Sequence, residues 1–100
     1  MNKIFKALAD PSRRRILELL RVRPMTAGEI AGHFTVAKPT LSAHFAVLRE
    51  ADLIESEKQG TTITYRLKIS VLEDALLAFA ETFGIGVERH AAGKPVRTNR

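Results

Sequence analysis

The chain has 100 residues, a formal net charge of +5 and no cysteine. That length suits one domain, and the missing thiols exclude disulfides, thiolate metal sites and thiol redox sensing. With 45% apolar and 27% charged residues the composition is that of an ordinary globular protein, and no apolar run approaches the roughly 18 residues of a membrane span. The stretch Met1 to Ala9 lacks signal-peptide architecture, so a soluble cytoplasmic protein without membrane insertion is expected. The positive balance fits an anionic partner, but does not by itself choose nucleic acid over a membrane surface.

Ile4, Phe5 and Leu8 recur at helical spacing, so Met1 to Leu8 reads as a short amphipathic helix. Asp10 before Pro11 is a start signal, an N-cap oxygen ahead of proline at the first helical position. That second helix runs through Ile16, Leu17, Leu19 and Leu20 and stops before Pro24. Thr26 and Glu29 have the spacing of a capping box. They open a third helix of about two turns, with Ile30, Ala31 and Phe34 on its apolar side. After a break at Thr35-Val36, a fourth helix starts near Ala37 and buries Leu41, Phe45 and Leu48 at i, i+4 and i+7. It ends around Ala51-Asp52.

The period then changes. Ile63, Tyr65 and Leu67 alternate with Thr62, Thr64 and Arg66, a half-buried strand. With Leu53 to Lys58 before it and Gln59-Gly60 between, the pair reads as a β-hairpin. Ser70 is placed to cap a last helix, Val71 to Phe83, which Gly84 stops. The order α-α-α-α-β-β-α is mainly α with a β-hairpin, a winged helix-turn-helix. Residues 1–84 form the expected domain; residues 85–100, basic and poor in apolar side chains, read as a flexible tail.

Several segments carry a resemblance. Phe5 to Leu17 resembles the opening of ArsR-type bacterial repressors, and Thr26 to Phe34 is similar to their third helix. Lys38-Pro39-Thr40-Leu41-Ser42-Ala43-His44-Phe45 resembles their recognition helix. Leu48 to Ile54 resembles the lead into their wing, and Gly60 to Tyr65 the wing's return strand. The third and fourth helices are most similar to the SdpR-like autorepressor branch. The resemblance covers roughly residues 2–84 and implies a homodimer that binds a palindromic double-stranded DNA operator and blocks transcription. In the family, release usually follows a metal, an oxidant or another signal; the residues here name no effector.

With Leu41, Phe45 and Leu48 buried, the opposite face of the fourth helix centres on Pro39, Ala43 and Ala46, flanked by Thr40 and Ser42. Lys38 stands at its start. No arginine or glutamine is placed to fork onto a base edge. Readout is therefore expected from the Thr40 and Ser42 hydroxyls, small apolar contacts from Pro39 and Ala43, and DNA shape; alternatively, the hydroxyls only solvate the helix. Ala37 cannot cap, so the first-turn amides either face a phosphate or are simply less well capped. His44 matches a family position near DNA and also lies near the core boundary; His33 reads as a surface residue. Thr26 at the third-helix start, and Lys58, Gln59, Gly60, Thr61, Thr62 and Arg66 in the wing, are secondary DNA candidates. Glu55 and Glu57 weaken the case for a wing in the minor groove, and a solvated hairpin is the alternative. The run Arg13-Arg14-Arg15 reads as a solvated face.

The last helix has a wider apolar stripe than one core contact needs. Leu72, Leu76, Phe79 and Phe83, with Ile4, Phe5 and Leu8, are the expected two-fold interface. Thr26 and Gly28 stand where the family carries thiolates, and Glu73, Asp74 and Glu81 on the last helix have no histidine beside them. A metal site is therefore not expected. No catalytic motif and no cofactor motif appears. The competing readings are a winged-helix protein-interaction module and a small-molecule sensor with a pocket between the last helices.

Overall fold

The computed structural model describes residues 2–86. Five helices and a small sheet follow in the order α1 (Asn2–Leu8), α2 (Pro11–Val22), β1 (Met25–Thr26), α3 (Ala27–Ala31), α4 (Lys38–Glu50), β2 (Ile54–Gln59), β3 (Thr62–Leu67) and α5 (Ile69–Thr82). Most of the tail expectation, residues 87–100, lies outside the described residues.

The helix starts follow their local chemistry. Asp10 Oδ1 accepts from the amides of Ser12 at 2.8 Å and Arg13 at 3.3 Å, and Pro11 occupies the first turn of α2. The α3 capping box is complete: Glu29 N donates to Thr26 Oγ1 at 3.0 Å, and Thr26 N donates to Glu29 Oε1 at 2.9 Å. Two amide donors that a helix start leaves orphaned are thereby satisfied.

The end of α4 is equally local. Asp52 N donates to Arg49 O and Leu53 N to Leu48 O, the paired bonds of a Schellman motif. Asp52 takes the left-handed conformation, φ 62°, that this motif requires. Leu48 and Leu53, the apolar pair that accompanies the motif, are both 0% exposed. Lys68 Nζ then reaches Asp52 Oδ1 at 2.8 Å, and Lys68 N donates to Leu53 O at 2.9 Å. The two ends of the hairpin are thus tied together at its base.

Three expectations need correction. Ser70 does not cap the last helix: the preceding residue, Ile69, is already helical, and Lys68 at the N-cap makes no side-chain cap bond. Because the Lys68 amide closes the hairpin, the chain enters the helix directly from the strand. The turn between the strands is Gly60-Thr61 rather than Gln59-Gly60, since Gln59 pairs with Thr62. Gly60 alone has positive φ there, 62°, the residue and position a type II′ hairpin needs. The sheet also has a third strand. Met25 pairs with Tyr65 and Thr26 with Thr64, giving the order β1-β3-β2. Two residues are too few to display an alternating pattern.

One core joins these parts. Ile16, Leu17 and Leu20 of α2, Ile30 of α3, and Leu41, Phe45 and Leu48 of α4 pack with Met25, Leu53, Ile54 and Tyr65. Each such side chain contributes about 1.5–3 kcal/mol of burial. The outward face of α4 is therefore set by the three side chains that hold its inner face.

Candidate nucleic-acid interface

Lys38, Pro39, Thr40, Ser42, Ala43 and Ala46 are all exposed on α4, opposite buried Leu41, Phe45 and Leu48. Ala37 at the N-cap makes no side-chain cap bond; its carbonyl accepts the Leu41 amide at 3.1 Å. This face offers one cation, two hydroxyls, and small apolar surfaces from Pro39 and Ala43. A hollow of about 220 Å³ opens between α3 and α4, with Lys38 and Ser42 among its lining residues.

His44 does not share that face. Its side chain is 13% exposed, its Nε2 lies 4.0 Å from Asp10 Oδ1, and its Nδ1 lies 3.2 Å from Arg13 Nη1. The imidazole is engaged inside its own chain, away from the exposed face of α4. His33 is exposed. Thr26 Oγ1 is engaged as the α3 cap.

The basic run also departs from a purely solvated face. Arg13 Nε donates to Ala7 O at 2.8 Å and its Nη2 to Lys6 O at 3.0 Å. Arg14 Nη1 donates to Leu8 O at 2.7 Å. These carbonyls end α1, where only Lys6 O also accepts a backbone amide, from Ala9 at 3.3 Å, so the two cations cap the helix from α2. Only Arg15 fits the solvated reading, paired with Glu18 at 3.2 Å on the surface. Sequence spacing hid this role because the acceptors lie six and seven residues upstream, across a turn.

Strand register separates the wing's cations. Lys58 pairs with Ile63 and Glu55 with Arg66. Side chains alternate between faces, so Lys58 lies on the face of Ile63 and Tyr65, and Arg66 on the other. There Arg66 Nη2 is 3.7 Å from Glu57 Oε1, with Glu55 directly across. Gln59, Gly60, Thr61 and Thr62 are exposed at the tip.

Two carboxylates on this side of the molecule are perturbed. Desolvation pushes the Asp10 carboxyl up, but the Arg13 and Ser12 amides, with the nearby His44 and Arg13 charges, outweigh it and hold it below 3.8. The Thr26 amide and then the Arg23 guanidinium hold Glu29 below 4.5.

The apolar edge lies on α1 and α5. Phe79 packs on Phe5 with ring centroids 4.9 Å apart and on Phe83 at 5.0 Å. Leu76, Phe79 and Phe83 remain 47%, 42% and 65% exposed. Ile69, 47% exposed and one heptad before Leu76, extends the stripe; its i−7 spacing was the signal for it. Ile4, Leu8 and Leu72 are partly buried against their own core instead. Among the described residues no three His, Asp or Glu side chains gather as metal ligands, and no helix is long and apolar enough to cross a membrane.

Comparison with known proteins agrees with this layout. The family described as bacterial regulatory protein, arsR family, matches residues 10–56, from the α2 cap into β2. The transcriptional repressor SdpR of Bacillus subtilis is 46% identical over 76 residues, covering 76% of this chain and 84% of the relative. The arsenical resistance operon repressor of Staphylococcus aureus is 34% identical over 76 residues, covering 76% of this chain and 73% of the relative. Among solved structures, an ArsR family transcriptional regulator superposes with TM-score 0.77 at 34% identity, covering 83% of this chain and 91% of that one. Each of these is described as a repressor or transcriptional regulator.

Proposed function

The chain belongs to the ArsR family of bacterial regulatory proteins, and from that premise we propose that it is a homodimeric, metal-independent repressor of a palindromic operator. The observation that carries this reading is the outward face of α4. Lys38, Thr40 and Ser42 stand exposed on a helix whose other side is locked by Leu41, Phe45 and Leu48. A helix of this kind enters the major groove with its N-terminal residues toward base edges. Lys38 meets a phosphate. Thr40 and Ser42 offer hydroxyls to bases, and Pro39 and Ala43 offer apolar surface to thymine methyl groups. With no forked donor on the face, DNA shape supplies much of the remaining discrimination.

Thr26, whose hydroxyl is engaged with Glu29 as the α3 cap, is a lesser contact. In the wing, Lys58 and the polar tip Gln59, Gly60, Thr61 and Thr62 approach the backbone. Arg66 contributes less, because Glu55 and Glu57 share its face. The homodimer is supported by the exposed stripe of Leu76, Phe79 and Phe83, with half-buried Phe5 packed on Phe79 and Ile4, Leu8 and Leu72 behind it. Metal independence is supported by the absence of cysteine from the chain.

Selection from a random duplex pool, followed by footprinting, tests the reading. A two-fold site is expected, with affinity falling steeply with salt. Lys38→Glu and Thr40→Ala should abolish or weaken binding while the fold persists. A pool that yields no enriched site, or variants that bind as the parent does, would overturn it.

A further inference from the structure

Arg13 connects three elements with one side chain. Its guanidinium donates to two carbonyls that end α1, at 2.8 and 3.0 Å, and to His44 Nδ1 on α4 at 3.2 Å. Its own amide meanwhile donates to the Asp10 cap. Arginine has no acceptor, so His44 Nδ1 must carry the lone pair in this contact. The ring proton of the neutral imidazole then sits on Nε2, which lies 4.0 Å from Asp10 Oδ1. The charged groups that face the ring are Asp10 and Arg13, both from the start of α2. From α1 come the carbonyls of Lys6 and Ala7, already taken by Arg13.

We propose that Arg13 is a positioning residue that locks α4 to α1 through His44 Nδ1, and that protonation of His44 opens the lock. The proposal rests on the reading of α4 as the DNA-contacting helix. The consequence is geometric. Helix α1 carries Phe5 on the dimer edge, and α4 carries the DNA face. The lock therefore sets how far apart and at what angle two copies present their α4 helices. A doubly protonated imidazole has no acceptor at Nδ1. It would point an N–H at the guanidinium, so donor faces donor and cation faces cation. Asp10 attracts the same imidazolium from the Nε2 side, which holds the ring near α2 while the link to Arg13 is lost. DNA affinity should fall on acidification.

His44→Asn separates these roles, because the asparagine carbonyl oxygen sits near the former Nδ1 and accepts from Arg13 without titrating. Fluorescence anisotropy with a labelled duplex carrying the selected two-fold site is compared at about pH 8 and about pH 5.5 at fixed ionic strength. The parent should lose roughly tenfold in affinity on acidification, and His44→Asn less than about twofold. His44→Ala and Arg13→Gln should bind weakly at both pH values while sedimentation still reports a dimer. An asparagine variant with the parent's pH dependence overturns the proposal, as does a parent with none. Should the arginine variant fail to fold, the comparison of parent with His44→Asn still decides. A readout without DNA is the imidazole nitrogen spectrum: an Nε2–H tautomer for His44 at about pH 8 is expected, and an Nδ1–H tautomer overturns the lock. A parent that binds no duplex at either pH overturns the DNA reading, and the tautomer then decides the lock alone.

Discussion

The rings of Phe45 and Tyr65 stack with centroids 4.3 Å apart and planes 20° from parallel. One belongs to the helix proposed to face DNA and the other to the return strand of the wing, so a single contact joins the two surfaces proposed to grip the operator. Both residues are 5% exposed. Phe45→Ala should cost about 3–5 kcal/mol. That is a large share of the roughly 5–15 kcal/mol that holds a small domain together. Urea unfolding measures it, and a loss below about 1 kcal/mol would mean that the site relaxes far more than its packing implies.

Thr26 serves twice, as a strand residue paired with Thr64 and as the α3 cap. Thr26→Ala leaves the strand pairing possible but removes the oxygen that receives the Glu29 amide. A loss of about 1 kcal/mol is expected, lowering the melting temperature by roughly 4–8 °C. Calorimetry of the variant checks this. An unchanged melting temperature would show that the α3 amide finds another partner.

Acid should destabilise the protein in part through Asp10 and Glu29. Both carboxyls lie below their ordinary values in the folded chain. The unfolded chain therefore binds protons first as pH falls, so stability rises with pH across that interval. The contribution is complete above the ordinary values of 3.8 and 4.5 and disappears as pH drops through the lowered ones. Asp10→Asn keeps a capping oxygen but removes one titrating group. Its melting temperature should depend less on pH below about 4 than the parent's, and identical acid limbs would refute the assignment.

Arg66 is held by Glu57 on the outer face of the wing. Glu57→Gln removes the negative charge and frees the guanidinium. Affinity for the operator should rise about threefold, with a salt slope steeper by about one. A wing that stays clear of the phosphates would leave both quantities unchanged.

Phe79 lies between Phe5 and Phe83 and is 42% exposed. Placing a carboxylate there, Phe79→Glu, should raise the dimer dissociation constant by about a hundredfold or more, since a buried unpaired charge would replace a central aromatic anchor. Sedimentation velocity reads the mass directly. A dimer as tight as the parent's would move the two-fold interface elsewhere.

Helix starts and the buried stripe were legible in the sequence because their determinants lie within one or two turns of each other. Asp10 with Pro11, Thr26 with Glu29, and Leu41 with Phe45 and Leu48 all declare themselves by spacing. The outward face of α4 followed by geometry once its inner face was known. What spacing could not display was contact across elements. Arg13 reaches back to α1 and across to His44, 31 residues away. Strand β1 is recognisable only beside β3. The opposition of Lys58 and Arg66 depends on hairpin register, which follows from placing the turn at Gly60-Thr61. The Ser70 cap failed for a related reason: a good local signal lost to the hydrogen bond between Lys68 and Leu53.

The order β1-β3-β2 gives the two wing strands unequal duties. Strand β3 is paired on both sides and contributes Tyr65 to the core, whereas β2 buries only Ile54 and leaves residues 55–59 exposed. The outer strand is therefore a replaceable cassette. Its five outer residues can be rewritten to suit a different groove or a different charge while β3 keeps the scaffold intact. A designer seeking to tune affinity for the DNA backbone should begin there and leave α4, the helix proposed to read the bases, untouched.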